Sequence, residues 1–375
     1  MNFTSLIRFC YENRVDRIYK SMNGKDCAVF WPFSLENGVP FFSFLEKEGA
    51  VIRYICHFPG QDLSKRNISK SAELITIDDF LKLAAPPNVM FTVQDTWLNS
   101  FAFMIERLGV KVIRIPGGDS VGFFQKFIDN LEEIEKHYEA FSWDIESLNS
   151  YAGALLEIVS RRVALGHYTN LPQYFLPGFL PNKGDVVIDA GCFDGETAKD
   201  FLAYGCRVIS FELDIDNFAK CKKLADSHGF TIEPYGLGRS EGTCHYRTSG
   251  NGVDSCIDSN GDGVGNIIDL DTYVKKEKID KVHFIKMDIE GAELDALRGA
   301  AKTIVRDKPH LAICAYHKPE DMWILMTYIK SLRPDYQFAF RHHYTDLPKG
   351  QAMEIMRNYQ VQNFPAVWEK ILYAR

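Results

Sequence analysis

The chain has 375 residues, of which 46% are hydrophobic and 25% are charged, and these values predict one large folded domain or two. Its net charge of −7 argues against nucleic acid as the main partner, because binding to phosphates requires a basic surface. No apolar run is long enough for a membrane span or a signal peptide, and the nine cysteines form no Cys-x-x-Cys pair, so we expect a cytoplasmic protein without a disulfide framework.

Residues 1–115 alternate short apolar runs with helical stretches, a pattern typical of a small Rossmann-like α/β domain. The predicted strands are Cys27–Trp31, Val51–Cys56, Ala72–Ile75, Val89–Val93 and Val112–Ile115. Where a nucleotide site would carry its glycines, residues 31–38 read WPFSLENG, and the proline and the aromatic rings would block a phosphate. We therefore predict a scaffold, a dimerisation surface or an acceptor-binding module, with a degenerate nucleotide-sugar pocket as the alternative.

Pro116, Gly117 and Gly118 end this pattern, and apolar residues then recur at helical spacing, which predicts a helical connector over residues 116–172. The third predicted domain covers residues 173–375. It begins with Gln173-Tyr174-Phe175, which is either a lid over a ligand or a packed linker.

Residues 185–213 read as an apolar run, a Gly-x-x-x-Gly turn, a short helix and a second apolar run that ends in an acid. Glu212 stands 21 residues after Gly191, where nucleotide-binding α/β units place the carboxylate that binds ribose hydroxyls. The turn lacks the third glycine of a dinucleotide fingerprint, which disfavours a nicotinamide-dependent oxidoreductase. S-adenosylmethionine has no pyrophosphate and needs only a close backbone approach at Gly191 and Gly195. The alternative is an ordinary α/β domain with a glycine-rich turn.

Residues 258–269 contain acidic and amide side chains at the positions of a calcium loop of the EF-hand type. Gly265, however, replaces the apolar residue that such loops use for pairing. A solvated turn rich in Asx and glycine explains the composition as well, so both interpretations stay open.

Two further apolar runs end in polar residues. Val282–Met287 is followed by Asp288 and Glu290, and His310–Ala315 is followed by Tyr316 and His317. Ligands of open parallel sheets bind outside the carboxyl ends of the strands. The polar residues predicted at such ends are Asp189, Glu212, Asp288 and His317, and we expect them to lie near one another.

Six segments in this order resemble the FkbM family of S-adenosylmethionine-dependent methyltransferases, from about Tyr174 to the C-terminus. They are VVIDAGCFDGET, VISFEL, DLDTYV, FIKMDIEGAELDALRGA, LAICAYHKPEDMW and YQFAFRHHY. The resemblance implies an α/β fold with a seven-stranded Rossmann-like sheet and a reversed last strand, for which Ile371–Ala374 is the candidate. It also implies methyl transfer to a hydroxyl group of a sugar, a nucleotide sugar or a glycan. A homodimer is a possible assembly.

The resemblance and the turn together give a set of expected cofactor-binding residues. The residues from Asp189 to Thr197 shape the methionine end, Glu212 binds the ribose, and the turn at Gly236 approaches the adenine. The full set is Asp189, Gly191, Asp194, Gly195, Thr197, Glu212, Leu213 and Gly236.

The methyl group of a sulfonium is strongly electrophilic, so the enzyme must mainly align the reacting atoms, while a sugar hydroxyl also needs a base or a metal ion. Asp288 is the first candidate and Glu290 the second, although either could instead cap the following helix. His317 and His343 are the candidate histidines, and His343-Tyr344 matches the His-Tyr pair of the family. A divalent ion held by these residues is an alternative that their spacing does not test.

A second class of function stays open at this point. The chain could be a glycan- or partner-binding protein that keeps the methyltransferase fold without transfer chemistry. Its large N-terminal domain with a disrupted glycine loop favours this interpretation, whereas the intact glycine turn and Glu212 oppose it.

Overall fold

The computed structural model describes residues 2–13, 15–30, 45–59, 72–93, 105–115, 120–160, 168–169, 171–248, 255–345 and 366–375. These residues form two compact units. The first lies within residues 1–138, 149–168 and 344–368, and the second within residues 139–148, 169–343 and 369–375. Among the described helices, none is both long and apolar enough to span a bilayer.

The first unit contains a five-stranded parallel sheet in the order β3-β2-β1-β4-β5. Its strands are β1 Asp26–Phe30, β2 Val51–His57, β3 Glu73–Thr76, β4 Val89–Val93 and β5 Lys111–Ile115, and its helices include α1 Phe3–Asn13, α2 Val15–Ser21 and α3 Ile77–Phe80. Buried side chains cover both faces, with Val29 and Phe91 in one cluster and Phe30 and Met90 in the other. Strands buried on both sides read as continuous apolar runs, which is why the sequence predicted all five.

Three helices follow in the chain, as the apolar spacing predicted. They are α4 Ser120–Asp129, α5 Leu131–Ala140 and α6 Ile145–Ser160. The sequence pattern also predicts a helix at Trp97–Leu108, most of which lies outside the described residues, as do the segments 31–38 and 116–118.

The second unit is built on an eight-stranded sheet in the order β6-β16-β17-β15-β14-β7-β8-β9. Its strands are β6 Tyr168–Thr169, β7 Val186–Ala190, β8 Arg207–Phe211, β9 Thr231–Glu233, β14 Phe284–Met287, β15 His310–Cys314, β16 Phe338–Thr345 and β17 Ala366–Ala374. The sheet has eight described strands where the resemblance implied seven, and the two-residue β6 lies at one edge. Strand β17 runs antiparallel to β15, which confirms the reversed last strand.

The helices of this unit are α7 Glu196–Ala203, α8 Ile215–His228, α9 Leu270–Lys276, α10 Glu293–Gly299, α11 Ala301–Asp307 and α12 Asp321–Leu332. The core between helices and sheet includes Val187, Phe201, Val208 and Phe284. Because parallel strands run in one direction, their carboxyl ends lie at the same edge of the sheet, where the loops that follow them meet.

A small second sheet, in the order β10-β13-β11-β12, contains the segment that resembled a calcium loop. Its strands are β10 Gly236–Leu237, β11 Gly242–Thr248, β12 Ser255–Ile257 and β13 Gly263–Ile268. Asp258 forms an ion pair with Arg247 at 2.9 Å, and Asp269 caps α9 by accepting from the Thr272 N–H at 2.8 Å. Within the described ranges, the side-chain groups arranged to hold a metal ion do not include this turn.

Candidate active site

A pocket opens at the carboxyl ends of β7, β8 and β14, where ligands of open α/β sheets bind. One part of its wall consists of predicted cofactor residues, namely Gly191, Glu212, Leu213 and Gly236. Another part is acidic and consists of Asp288, Glu290 and Glu369 together with Tyr316. The fold therefore brings residues from distant parts of the chain to one cavity.

The glycine turn after β7 passes directly against the end of β14. Gly191 has a φ of +74°, and a Cβ at this position would lie 1.8 Å from the carbonyl oxygen of Asp288. Gly195 has a φ of +85°, and its Cβ would lie 2.8 Å from the Cys221 sulfur. Only glycine combines this left-handed backbone with so little space, so both positions depend on the missing side chain.

A buried ion pair supports the turn from below. Lys286 Nζ lies 3.2 Å from Asp189 Oδ1 and donates a hydrogen bond of 2.6 Å to the carbonyl oxygen of Gly191. Burial lowers the pKa of Lys286, but the charge of Asp189 outweighs this effect and holds that pKa above its ordinary value. Asp189, which also accepts from the Ser210 hydroxyl, is wholly buried inside β7 instead of standing at the strand end. The structure therefore places Asp189 beneath the turn and outside the pocket wall.

Replacing Lys286 by methionine is expected to destabilise the fold by about 3–5 kcal/mol, because it leaves the Asp189 carboxylate buried without its cation. Urea unfolding followed by circular dichroism measures this loss. Lys199→Met is the matched control, since Lys199 pairs with Glu196 at the surface and should change stability by about 1 kcal/mol or less. Equal midpoints for the two variants would contradict a supporting role for the buried pair.

Glu212 follows β8 and turns its carboxylate toward the pocket. Oε2 accepts from the Phe193 N–H and Oε1 from the Asp214 N–H, each at 2.9 Å. Burial raises the pKa of Glu212 to about 7. Because each oxygen accepts one backbone hydrogen bond, each keeps a further lone pair for a ligand hydroxyl.

Three other predicted cofactor residues surround the turn but are not among the described residues that line the pocket. Asp194 is exposed, and its Oδ1 accepts from the Glu196 N–H at 3.2 Å. Gly195 packs against α8, and Thr197 is half-buried in α7. The structure does not bring them into the cavity with Gly191.

Asp288 is the centre of the acidic wall. Its Oδ2 accepts from the Tyr174 hydroxyl at 2.8 Å, and its Oδ1 accepts from the Tyr316 hydroxyl at 3.2 Å. Burial raises the pKa of Asp288, but the interaction with His317 and the charge of Lys286 outweigh this effect and hold that pKa well below its usual range. Asp288 is therefore an ionised acceptor of hydrogen bonds at neutral pH.

His317 lies behind this wall with three carboxylates around its ring. Nδ1 lies 2.8 Å from Glu293 Oε1, and Nε2 lies 3.4 Å from Asp288 Oδ1 and 3.5 Å from Glu290 Oε2. Burial lowers the pKa of His317, but the charge of Glu293 and the contacts with the other two carboxylates raise it well above its ordinary value. The structure thus brings together Asp288, Glu290 and His317, three of the four predicted catalytic residues.

The alternative of helix capping does not describe these acids. Helix α10 begins after Ala292, which makes no side-chain capping bond, and Glu293 instead reaches back to accept from the Ile289 N–H at 3.0 Å. Glu290 has a φ of +53°, a left-handed backbone that is costly for a residue with a side chain. Such strain often occurs at functional sites.

His343 is a predicted catalytic residue that the structure places in the core, away from the pocket wall. His343 lies near the end of β16, which runs to Thr345. Its Nδ1 lies 3.0 Å from the Leu171 carbonyl oxygen and its Nε2 lies 2.7 Å from the Tyr373 hydroxyl. Burial lowers the pKa of His343 to about 4, so it is a neutral residue of the core.

Sequence reasoning did not identify Glu369, which lies on the pocket wall and accepts from Gln173 Nε2 at 2.8 Å. Burial raises the pKa of Glu369 to about 7. Because β17 is antiparallel, Glu369 reaches the carboxyl edge of the parallel strands from the opposite direction. Tyr174, predicted to lie in a lid or in a packed linker, is buried, and its hydroxyl donates to Asp288.

Comparisons with known proteins find similarity to methyltransferases. Residues 266–344 match the model of the methyltransferase FkbM domain. The structure superimposes on the crystal structure of methyltransferase FkbM from Methylobacillus flagellatus with a TM-score of 0.65, covering 99% of this chain and 98% of that chain at 18% identity. The resemblance to FkbM methyltransferases is confirmed.

Other solved structures are similar over about half of the chain. An O-methyltransferase from Bacillus cereus in complex with SAH has 12% identity and a TM-score of 0.29, covering 50% of this chain and 72% of that chain. An rRNA methylase from Streptococcus thermophilus has 14% identity and a TM-score of 0.30, covering 52% and 86%. No curated protein matches the sequence. The match to the FkbM structure shows that the described residues share a Rossmann-like α/β fold with it.

Proposed function

We propose that this protein transfers the methyl group of S-adenosylmethionine to a hydroxyl group of a sugar, a nucleotide sugar or a glycan. The observation that carries the proposal is a single pocket with two chemically different walls. One wall has the glycine turn and Glu212, which suit an adenosine ligand, and the other has the acids Asp288, Glu290 and Glu369, which suit an acceptor rich in hydroxyl groups.

The positions of these residues suggest how the cofactor lies. The ribose hydroxyls would donate to Glu212, and the adenine would lie near Leu213 and Gly236, which share the same wall. The methionine end would pass along Gly191, whose backbone touches the Asp288 carbonyl. This orientation directs the sulfonium methyl group toward the acidic wall.

The acidic wall supplies what transfer to a hydroxyl needs. Ionised Asp288 can accept a hydrogen bond from the acceptor and fix its orientation, since its low pKa makes it a weak base. Glu369 has a pKa of about 7 and is therefore better matched to take the proton that the hydroxyl loses. The carbon–sulfur bond breaks as the oxygen–carbon bond forms, and S-adenosylhomocysteine leaves.

The test is transfer of a ¹³C-labelled methyl group from S-adenosylmethionine to a panel of sugars, nucleotide sugars and cell-envelope glycans. We expect a labelled product whose methyl carbon has the NMR shift of a methyl ether. A label on nitrogen or carbon would contradict the choice of acceptor atom. Cofactor binding without transfer to any member of the panel would favour the non-catalytic alternative.

A further inference from the structure

We propose that Asp288, Glu290 and His317 form a binding site for a divalent first-row transition cation such as Mn²⁺ or Zn²⁺. One ligand atom from each of the three lies within 4.8 Å of the other two. Two carboxylate oxygens and one imidazole nitrogen are a donor set that these cations accept, whereas Mg²⁺ and Ca²⁺ prefer oxygen alone.

The spacing of the three side chains fits a cation better than direct hydrogen bonds. His317 Nε2 lies 3.4 Å from Asp288 Oδ1 and 3.5 Å from Glu290 Oε2. The His317 side chain is only 8% exposed, and Nε2 makes no hydrogen bond with any residue that the structure describes. A cation with bonds of about 2.1 Å holds neighbouring ligands roughly 3.0–3.4 Å apart. The observed separations are close to that range.

Glu293 orients the histidine for this role. It is wholly buried, and its Oε1 lies 2.8 Å from His317 Nδ1 while also accepting from the Ile289 N–H. A carboxylate that accepts from one ring nitrogen fixes the ring and leaves the lone pair of the other nitrogen for a metal ion. Glu293 is therefore a positioning residue, and His317 Nε2 is the atom presented to the cation.

The local charge also favours a dication. The carboxylates of Asp288, Glu290 and Glu293 all lie within 3.5 Å of the His317 ring nitrogens. The nearby cation Lys286 is already paired with Asp189 at 3.2 Å. Buried charge is costly unless it is balanced, and a divalent ion, which takes the place of the proton on His317 Nε2, balances two of the three negative charges.

The cation would face the acceptor, because Asp288 and Glu290 line the pocket. Its open coordination positions would take one or two adjacent hydroxyl oxygens, which makes a vicinal diol the preferred acceptor class. This catalytic role rests on the proposed function, whereas the cation site does not.

The experiment is titration of Mn²⁺ into chelator-treated, full-length protein, followed by electron paramagnetic resonance. We expect a bound Mn²⁺ signal with ¹⁴N modulation from the imidazole. His317→Ala should abolish the modulation and weaken Mn²⁺ binding by about 10-fold or more, and Glu293→Gln should weaken binding by about 10–100-fold. His228→Ala, which changes an exposed histidine at the end of α8, is the matched control and should behave as wild type.

Several outcomes would overturn the site. Mn²⁺ binding equally tightly to wild type and His317→Ala, or ¹⁴N modulation that persists in His317→Ala, would each do so. Should His317→Ala lose its circular dichroism signal, Glu290→Gln replaces it, since Glu290 is 28% exposed at the pocket wall and must also weaken binding. Bound Mn²⁺ with ¹⁴N modulation but no methyl transfer would keep the site and contradict the proposed function. Methyl transfer by a protein that does not bind Mn²⁺ would keep the proposed function and contradict the cation site.

Discussion

Asp288→Asn and His317→Ala are each expected to lower turnover by about 100-fold or more while changing the affinity for S-adenosylmethionine only a few-fold. Asp288 belongs to the acidic wall, and His317 lies behind it with Nε2 at 3.4 Å from Asp288 Oδ1, whereas Glu212 is on the cofactor wall. Asparagine keeps the Asp288 backbone that touches Gly191, so the glycine turn should be preserved. Initial rates with labelled cofactor and calorimetric titration of the same variants measure the two quantities separately.

The control for these variants is Asp295→Asn, which changes an exposed acid on the neighbouring helix α10 and should leave both quantities unchanged. His317→Ala leaves Glu293 buried without its partner, so unfolding by urea must be measured beside the rates. Wild-type turnover in folded Asp288→Asn would place the acceptor chemistry elsewhere on the wall.

Glu369→Gln is expected to lower turnover by about 100-fold or more with acceptors whose hydroxyl has an ordinary pKa. Glutamine keeps the volume of the side chain and an oxygen that can accept from Gln173, but it cannot take a proton. A nitrophenol acceptor, whose hydroxyl already ionises near neutral pH, should lose much less activity. This difference separates a proton acceptor from a residue that only positions the substrate.

The measurement is the ratio of wild-type to variant rates for the two kinds of acceptor, with Glu241→Gln as an exposed control. An equal loss for both kinds of acceptor would make Glu369 a positioning residue. No loss for either would remove it from the reaction.

The parallel strands were predictable because strands buried on both faces consist of short apolar runs. The small sheet was largely not predicted, since β11 has only one buried residue among its seven and lacks an apolar run. The edge strand β6 has two residues, too few for any pattern to emerge. The sequence pattern therefore identified the buried strands and missed the exposed or very short ones.

The candidate site was predictable where polar residues directly follow neighbouring parallel strands. Asp288 follows β14, His317 follows β15, and these strands pair in register, so their side chains meet. His343 lies near the end of β16, as its position predicted, but the sequence does not show that its side chain bonds the Leu171 carbonyl oxygen and the Tyr373 hydroxyl in the core. Glu369 has no local signal either, since its position depends on the antiparallel direction of β17.

Whether the pocket binds S-adenosylmethionine is measured most directly by isothermal titration of the wild type and of Glu212→Ala. At pH 8 we expect saturable binding of S-adenosylmethionine and of S-adenosylhomocysteine to the wild type, lost in Glu212→Ala and retained in the exposed control Glu241→Ala. Because ionised Glu212 accepts the ribose hydroxyls and its pKa is about 7, protonation should weaken binding as the pH falls below 7, by about 10-fold per unit. Folded wild-type protein that gives no heat with either ligand, or Glu212→Ala that binds as the wild type does, would contradict the assignment of this pocket.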